Sequence, residues 1–385
     1  MIVGHYHSEE IWAKGGIASY VRRVSTAQCL LGHQVLYFSN QPSQGSTAEE
    51  QPIIVPTAQD LFLNAEKLGV DILHLHGGID SLPSKHIPVV RTMHGHHPYC
   101  PSGSKYLKQQ NTPCDRPYSL YGCLWGHFID RCGSIRPHAL HSNFNRTWQE
   151  KATLPKIPVI TVSHFLKEQM IRAGYPENLI QVLYLFAPET ANSAPPPETE
   201  TPHIVFLGRI VPEKGLEWLV RSIQQVKVPI HLDIAGEGYF EATIQNLVQD
   251  LGIDRQVTFH GWVNPKQVSD LLVNARALVF PSLWHEPGGT VAFEAMAHSR
   301  AVIMSQVGGM PEVVLHGNNG LIVPPGNIDA LTKSLEDLAT DRNLATQIGE
   351  HGSKMVSEQF TLQGHIDRLM QIYRHTINHH CETVS

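Results

Sequence analysis

Two glutamates flank a glycine pair where the chain is predicted to enter a helix. Residues 286–294 read Glu-Pro-Gly-Gly-Thr-Val-Ala-Phe-Glu. The glycines let a ligand approach the backbone closely, and a helix that begins near Thr290 offers free N–H groups to an anion, because that end carries about half a positive charge. Glu286 and Glu294 can accept hydrogen bonds from sugar or ribose hydroxyls. The segment therefore fits a ligand that contains both pyrophosphate and sugar.

Paired carboxylates also occur in glycosidases, where an acid and a base face each other about 5 to 10 Å apart across one bond. Five helical steps of about 1.5 Å separate Gly289 from Glu294, or roughly 7.5 Å, and Glu286 lies before the turn. This spacing favours two contacts along an extended ligand. An ordinary strand-turn-helix connection with two solvated glutamates is the alternative for this segment alone, and the neighbouring motifs argue against it.

Two basic residues follow a predicted strand at His203–Leu207, in the run Gly-Arg-Ile-Val-Pro-Glu-Lys-Gly that starts at Gly208. Arg209 offers a planar fork and Lys214 a point charge, and together they suit the negative charge of a diphosphate. The run is not a P-loop, because Gly-Lys-Ser/Thr is missing. Solvated side chains on an ordinary loop are the alternative.

Three further motifs lie at predicted strand ends or helix starts. Gly15-Gly16 precedes a predicted helix and could close a phosphate site from the opposite domain, with a simple tight turn as the alternative. His94 ends a strand, so it should point into a cleft and could hydrogen-bond a sugar hydroxyl or a developing charge. An incidental position is the alternative in a chain with 24 histidines.

Gly236-Glu237-Gly238 lacks the third glycine of a dinucleotide fingerprint, which argues against NAD. Glu312 fits a structural role better than a catalytic one.

Length and composition limit the possible functions. A chain of 385 residues predicts about two domains. A net charge of −6, from 29 basic and 35 acidic residues, argues against broad nucleic-acid binding. The first residues already read as a strand without a signal-peptide pattern, and no apolar run is long enough to span a membrane. We therefore expect a cytoplasmic protein, and peripheral contact with the inner face of a membrane is compatible with it.

The six cysteines are too few and too scattered for a disulfide scaffold in a chain of this length. Four of them cluster in a stretch that also contains histidines, but none forms a Cys-x-x-Cys pair. Buried thiols are the main interpretation, and a structural metal site is the alternative. The four are Cys100, Cys114, Cys123 and Cys132.

Apolar runs alternate with amphipathic stretches, which predicts β/α units around parallel sheets. The proline-rich residues 187–202 have no apolar periodicity and predict a linker. We therefore expect one doubly wound domain over 1–186, a second over 203–361, and a tail over 362–385 that packs back on the first. Ligands of such folds bind beyond the carboxyl ends of the strands. The predicted strands are Met1–Tyr6, Gln34–Phe38, Asp71–His76, Val89–His94, Pro158–Val162, Ile180–Leu185, His203–Leu207, Ile230–Ala235, Val257–His260, Ala277–Phe280, Ala301–Met304 and Gly320–Val323.

Taken together, these motifs resemble glycosyltransferase family 4 (GT4), a family of retaining enzymes, over nearly the whole chain. The strongest element is the Glu-x7-Glu motif from Glu286 to Glu294. The resemblance implies a GT-B fold of class α/β: an acceptor-binding and a donor-binding Rossmann-like domain face a central cleft, and a C-terminal helix crosses back to the first. It also implies transfer of sugar from a nucleotide diphosphate sugar, with UDP favoured, to a hydroxyl of a saccharide or glycolipid-type acceptor. No metal or other cofactor is implied.

The resemblance also implies roles for individual residues. Arg209 and Lys214 would stabilise the departing diphosphate, Glu286 would contact the donor sugar, and His94 would lie beside it. The family usually has Phe or a similar residue at the position of Gly288, so we expect a more open pocket wall near the sugar. The implied donor-binding residues are Gly15, Gly16, Gly208, Gly238, Val263, Gly288, Gly289, Thr290 and Glu294. A catalytically inactive GT-B protein that binds sugar nucleotides or serves as a partner subunit is the alternative, and the intact charged residues argue against it.

Overall fold

The computed structural model describes residues 1–8, 10–12, 15–42, 51–83, 86–189 and 194–384. Seven parallel strands form a first sheet with the order β3-β2-β1-β4-β5-β8-β9, and a short antiparallel hairpin, β6-β7, lies outside it. The first unit contains this sheet, the hairpin and the helices around them. Its elements are β1 Ile2–His7, α1 Gly16–Leu30, β2 Gln34–Ser39, β3 Ile53–Ile54, α2 Ala58–Lys67, β4 Ile72–Leu75, β5 Val89–Met93, β6 Tyr106–Leu107, β7 Thr112–Pro113, α3 Leu120–Phe128, α4 Pro137–Thr153, β8 Val159–Thr161, α5 His164–Arg172 and β9 Ile180–Val182.

Six parallel strands form a second sheet with the order β12-β11-β10-β13-β14-β15. The second unit contains this sheet and the helices that follow its strands, and α13 is the last element. The elements are β10 His203–Leu207, α6 Leu216–Gln225, β11 His231–Ala235, α7 Glu241–Asp250, β12 Val257–Gly261, α8 Pro265–Asn274, β13 Ala277–Phe280, α9 Thr290–Ala297, β14 Ala301–Ser305, α10 Met310–Val313, β15 Leu321–Val323, α11 Ile328–Thr340, α12 Arg342–Gln359 and α13 Leu362–Val384.

Both sheets are covered on both faces, which explains why their strands are almost continuous apolar runs. In the first sheet, the adjacent residues Ile72 and Leu73 of β4 enter opposite cores: Ile72 packs with α1 and α13, and Leu73 packs with α2. In the second sheet, α6, α7 and α11 cover one face and α8, α9 and α12 cover the other. The predicted α/β fold of two doubly wound units is confirmed.

The last helix leaves the second unit and packs on the first sheet. Leu369 and Tyr373 of α13 are fully buried against Val3 of β1 and Val90 of β5. Part of the predicted linker, residues 190–193, lies outside the described residues. The division of the chain into an acceptor-binding and a donor-binding domain stays a prediction.

Chain order reverses in both sheets, between β1 and β4 in the first and between β10 and β13 in the second. At such a switch point the loops beyond the carboxyl ends of the two central strands diverge and leave a crevice. The loops after β5, β10 and β13 carry His94, Arg209 and Glu286. The topology therefore places the three candidate residues at the edge where ligands of open α/β sheets bind. In the described part of the chain, no helix has the length and apolar character needed to cross a bilayer.

Candidate active site

Residues from both units line one cavity of about 400 Å³. His94 and Arg91 contribute from the first unit, and Arg209, Glu213 and Trp284 contribute from the second. Arg209 is exposed, so its guanidinium is available to a ligand. Two residues predicted from separate motifs, His94 and Arg209, thus meet at one site.

Lys214 and Glu286 form a buried ion pair beside this cavity. The Lys214 ammonium lies 2.6 Å from Glu286 Oε1, and the two residues are 8% and 4% exposed. Lys214 Nζ also lies 4.9 Å from the ring centre of Phe280 and 5.1 Å from that of Trp284, an arrangement that stabilises a cation on aromatic faces. Because both side chains are largely shielded from water, the attraction between their charges is weakly screened.

The Glu286 carboxylate is held by more than the lysine. Oε1 also accepts a hydrogen bond of 2.6 Å from the Ser282 hydroxyl and one from the Trp284 indole N–H. Among the described residues, none bonds to Oε2. One oxygen is thus fixed by the protein. Trp284 lies two residues before the motif, and no motif in the sequence predicts a role for it.

A second cavity, of about 240 Å³, lies where α1 faces α9. Gly15, Gly16 and Arg23 line it from the first unit, and Thr290 and Glu294 line it from the second. Burial raises the pKa of the Glu294 carboxyl, and the charge of Arg23 opposes this rise. The predicted anion site at the start of α9 and the predicted ribose-binding carboxylate therefore share one cavity with the glycine pair of the opposite unit.

Gly289 forms the N-terminal cap of α9 in a left-handed conformation, with φ of 50°. A Cβ atom at this position would lie 2.2 Å from Met310 Cε. A side chain is therefore excluded both by backbone strain and by packing. The glycine requirement predicted for the turn has a structural cause at this residue.

Gly288 does not make the pocket wall more open, and that expectation is wrong. A Cβ atom here would lie 3.0 Å from Leu185 Cδ1 and 3.2 Å from Val162 Cγ2. Both side chains belong to the first unit, before the predicted linker. The missing side chain therefore makes room for close contact between the two units.

Five predicted donor-binding residues lie outside the linings of both cavities: Gly208, Gly238, Val263, Gly288 and Gly289. Gly208 precedes Arg209, and a Cβ atom at Gly238 would lie 2.0 Å from the Ile210 carbonyl oxygen, so Gly238 packs beneath the Arg209 loop. Val263 packs against the second-unit core cluster that includes α9. Their role in donor binding stays a prediction.

Glu312 is a structural carboxylate between the two units. It accepts hydrogen bonds from the backbone N–H groups of His164 and Phe165, at 2.8 and 2.6 Å, and from the Tyr184 hydroxyl at 2.9 Å. The two N–H groups belong to the first turn of α5, whose partial positive charge favours a carboxylate. This contact agrees with the structural role predicted for Glu312, and its partner helix lies in the other unit, beyond the reach of local sequence signals.

A second contact between the units lies next to the Glu286 loop. His96 donates to the His285 carbonyl at 2.6 Å, and the His285 ring lies 2.9 Å from the Asp115 carboxylate. Because the Gly308 N–H donates to His285 Nδ1, the proton of the neutral ring is on Nε2, facing Asp115. These residues fix the loop that carries Glu286 against the histidine-rich segment after β5.

The four clustered cysteines all line one small cavity of about 30 Å³. Burial raises the pKa of Cys114 and Cys123, and that of Cys132 to about 12, so these groups are thiols at neutral pH. In the described part of the chain, two clusters each hold three potential metal-ligand atoms within 4.8 Å of one another: one consists of three histidines, and the other of two histidines and an aspartate. A metal site at the cysteines stays a prediction.

The family described as Glycosyltransferase Family 4 matches residues 14–188, and the one described as Glycosyl transferases group 1 matches residues 189–355. Alpha-maltose-1-phosphate synthase of Mycobacterium tuberculosis is 30% identical over 288 residues, which cover 67% of this chain and 73% of that protein. The chain belongs to glycosyltransferase family 4. For the first curated relatives, the matches span 46% to 66% of the relatives' own length.

Solved structures show the same GT-B architecture as this GT4 chain. Sucrose-phosphate synthase from Thermosynechococcus elongatus superposes with a TM-score of 0.74 at 20% identity, covering 97% of this chain and 98% of that one. Anabaena HepE, solved in complex with UDP and glucose, superposes with a TM-score of 0.65 at 17% identity, covering 96% and 98%. At these identities the likeness establishes the fold.

Proposed function

We propose that the protein is a retaining glycosyltransferase that moves a sugar from a UDP-sugar to a hydroxyl of a saccharide or glycolipid-type acceptor. One observation carries the proposal: His94 and Arg209, from opposite units, line the same cavity, directly beside the buried Lys214–Glu286 pair. The second unit thus supplies the positive charge of Arg209 and Lys214, and the first unit supplies the imidazole of His94.

The two cavities suit the two ends of one donor molecule. Glu294 and the start of α9 would hold the ribose and a phosphate in the smaller cavity. Arg209, Lys214 and Glu286 would hold the second phosphate and the sugar at the larger one. The nucleotide in the HepE complex supports UDP for this fold, and the base bound by this chain is part of the proposal.

Charge stabilisation is the main chemical contribution that these residues can make. As the bond between the anomeric carbon and the phosphate oxygen breaks, negative charge grows on the leaving diphosphate. Arg209 and Lys214 are already positioned to stabilise it, and such preorganised electrostatic stabilisation is often the largest catalytic effect. No metal or further cofactor enters this scheme, and we place the reaction in the cytoplasm.

Retention is supported by the composition of the cavity wall. Among the described residues that line the larger cavity, those of the first unit include histidines, arginines and serines but neither Asp nor Glu. Glu213 is the lining carboxylate, and it lies on the same loop as Arg209 and Lys214. A carboxylate nucleophile on the sugar face opposite the diphosphate is therefore missing from this lining. A leaving phosphate oxygen that takes the proton of the incoming hydroxyl, on the same face, fits it better.

Thermal unfolding with UDP, GDP and ADP tests the nucleotide site. UDP at one hundred times its Kd is expected to stabilise the protein by about 2.7 kcal/mol, because it binds only the folded state. Glu294→Ala should reduce this gain, whereas Glu350→Ala, an exposed position on α12, should not. Stabilisation by GDP or ADP alone would correct the base, and stabilisation by none of the three would contradict the donor site.

A further inference from the structure

A continuous row of buried polar side chains connects the active-site histidine to the C-terminal helix. The row includes His5 of β1, Gln28 of α1, His74 of β4 and His76 in the loop after β4. All four side chains are between 0 and 3% exposed. His74 is paired with His5 in the register of the parallel strands. So many polar groups in a core are tolerated only if each one is hydrogen-bonded. The direction of these bonds can be derived from two fixed points.

The first fixed point is the backbone carbonyl of Tyr184. His365 Nδ1 lies 2.8 Å from this oxygen, and a carbonyl can only accept, so Nδ1 carries the proton. Burial lowers the pKa of His365 to about 4, so the ring is neutral and Nε2 is an acceptor. The Tyr20 hydroxyl, 2.9 Å away, therefore donates to Nε2.

Gln28 is a second fixed point, because its amide oxygen can only accept and its amide nitrogen can only donate. The C-terminal helix reaches it through Tyr373, whose hydroxyl lies 2.5 Å from His74 Nδ1. Burial holds the pKa of His74 well below its usual range, so the ring is neutral, and its Nε2 lies 2.6 Å from the Thr92 hydroxyl.

From Gln28 the hydrogen bonds continue to the cleft. The Tyr373 oxygen accepts from Gln28 Nε2 at 3.4 Å, which leaves Gln28 Oε1 to accept from His5 Nε2 at 2.9 Å. Burial lowers the pKa of His5 to about 4, so its Nδ1 accepts from His76 Nε2, also at 2.9 Å. His76 Nδ1 in turn accepts from His94 Nε2 at 3.1 Å.

His94 is the last member and the one that reaches the ligand cavity. Burial and the charge of Arg91 lower its pKa to about 3, so the ring is neutral. With its proton on Nε2, its Nδ1 presents a lone pair. Among the described residues, none hydrogen-bonds to this nitrogen, and His94 lines the larger cavity.

We propose that this histidine relay fixes His94 as the tautomer with its proton on Nε2, so that Nδ1 accepts a hydrogen bond from a hydroxyl in the cleft. Gln28, His5 and His76 act as positioning residues. That the hydroxyl belongs to a sugar rests on the proposed function. An acceptor-only group of this kind binds a hydroxyl and disfavours a group that can only accept.

A metal site at His5, His74 and His76 is the competing interpretation, since their ring nitrogens lie within 4.8 Å of one another. The 2.9 Å contact between His5 Nδ1 and His76 Nε2 requires a proton between the two nitrogens. Two nitrogens that share a proton cannot both give lone pairs to one ion. The bonds of this cluster thus favour the relay.

Nitrogen-15 NMR of the full-length protein, labelled at histidine, tests the tautomer directly. In the wild type without ligand at neutral pH, we expect the His94 resonances to show a protonated Nε2 and an unprotonated Nδ1, with the assignment made by their loss in His94→Asn. A protonated Nδ1 would overturn the proposal. So would Zn²⁺ binding that shifts the His5, His74 and His76 resonances in stoichiometric amounts.

Variants of Gln28 separate positioning from packing. Gln28→Leu removes the acceptor for His5, so we expect both His94 tautomers and a kcat/KM for transfer lowered about tenfold, equivalent to one hydrogen bond of about 1.4 kcal/mol. Gln28→Glu keeps an oxygen acceptor toward His5 and should restore the single tautomer. Tyr373→Phe, which removes only one hydroxyl, provides a second break if Gln28→Leu fails to fold.

An unchanged His94 tautomer in both Gln28→Leu and Tyr373→Phe would overturn the relay. The tautomer is read without substrate, so it is independent of activity. A wild-type protein with the expected tautomer but no transfer would therefore contradict the proposed function and leave the relay supported.

Discussion

Protein with both Arg209→Ala and Lys214→Ala is expected to transfer sugar at least about 10³-fold more slowly than the wild type. Loss of a single preorganised group that stabilises developing charge typically costs about 10²–10³-fold in kcat, and this variant loses two. The measurement is the steady-state rate of nucleotide release in the presence of acceptor. Undiminished turnover would contradict the assignment of these residues.

Arg209→Ala alone gives the clearer comparison, because Arg209 is exposed and its loss leaves no buried charge unpaired. Arg221→Ala is the matched control: it removes an exposed arginine from α6 of the same unit, where it pairs with Glu217. We expect the control to keep full activity and Arg209→Ala to lower kcat by about 10²–10³-fold. Equal activities of Arg209→Ala and Arg221→Ala would show that an arginine in the cleft contributes no more to catalysis than one on the exposed surface.

The second large effect concerns stability. Glu286→Gln is expected to lower the free energy of unfolding by about 3–5 kcal/mol, because it leaves the buried Lys214 ammonium without its counter-charge. Urea unfolding measures this change. Glu217→Gln, which breaks an exposed pair with Arg221 on the same unit, should cost at most about 1 kcal/mol. Similar costs for the two variants would contradict the buried ion pair.

A double variant separates stability from function at the same site. Lys214→Met with Glu286→Leu replaces both charges by apolar side chains of similar size, which often restores or raises stability. The double variant should therefore unfold like the wild type but remain inactive, because the proposed diphosphate and sugar contacts are gone. Activity in this variant would show that neither charge is needed for transfer.

Much of the fold could be predicted from local sequence. The strands are apolar runs that lie between turn residues, and β10 at His203–Leu207 and β13 at Ala277–Phe280 have the bounds expected from them. By contrast, the alternation predicts helices between the strands but sets no bounds for them between Gly95 and Ile157, where the structure has β6, β7, α3 and α4. This segment is rich in Cys, His and Pro and has weak apolar periodicity, so its structure depends on tertiary contacts.

The site could be predicted only at the level of motifs. Glycine pairs, strand-end charges and the Glu286-to-Glu294 spacing are local signals, and the structure brings several of them together. Contacts between the units are not local: Gly288 lies against Val162 and Leu185, and Glu312 caps α5. The histidine relay depends on strand register and on a helix about 300 residues away in sequence, as in the His74–Tyr373 bond.

Proton NMR of the protein incubated with a UDP-sugar tests the central claim most directly, first without acceptor and then with a simple saccharide. We expect release of UDP, accelerated by the acceptor, and a product whose anomeric configuration matches that of the donor. The Arg209→Ala, Lys214→Ala double variant should release none on the same time scale. A wild-type protein that leaves UDP-, GDP- and ADP-sugars intact, as an inactive sugar-nucleotide-binding protein would, contradicts the account; a product of inverted configuration contradicts its mechanism.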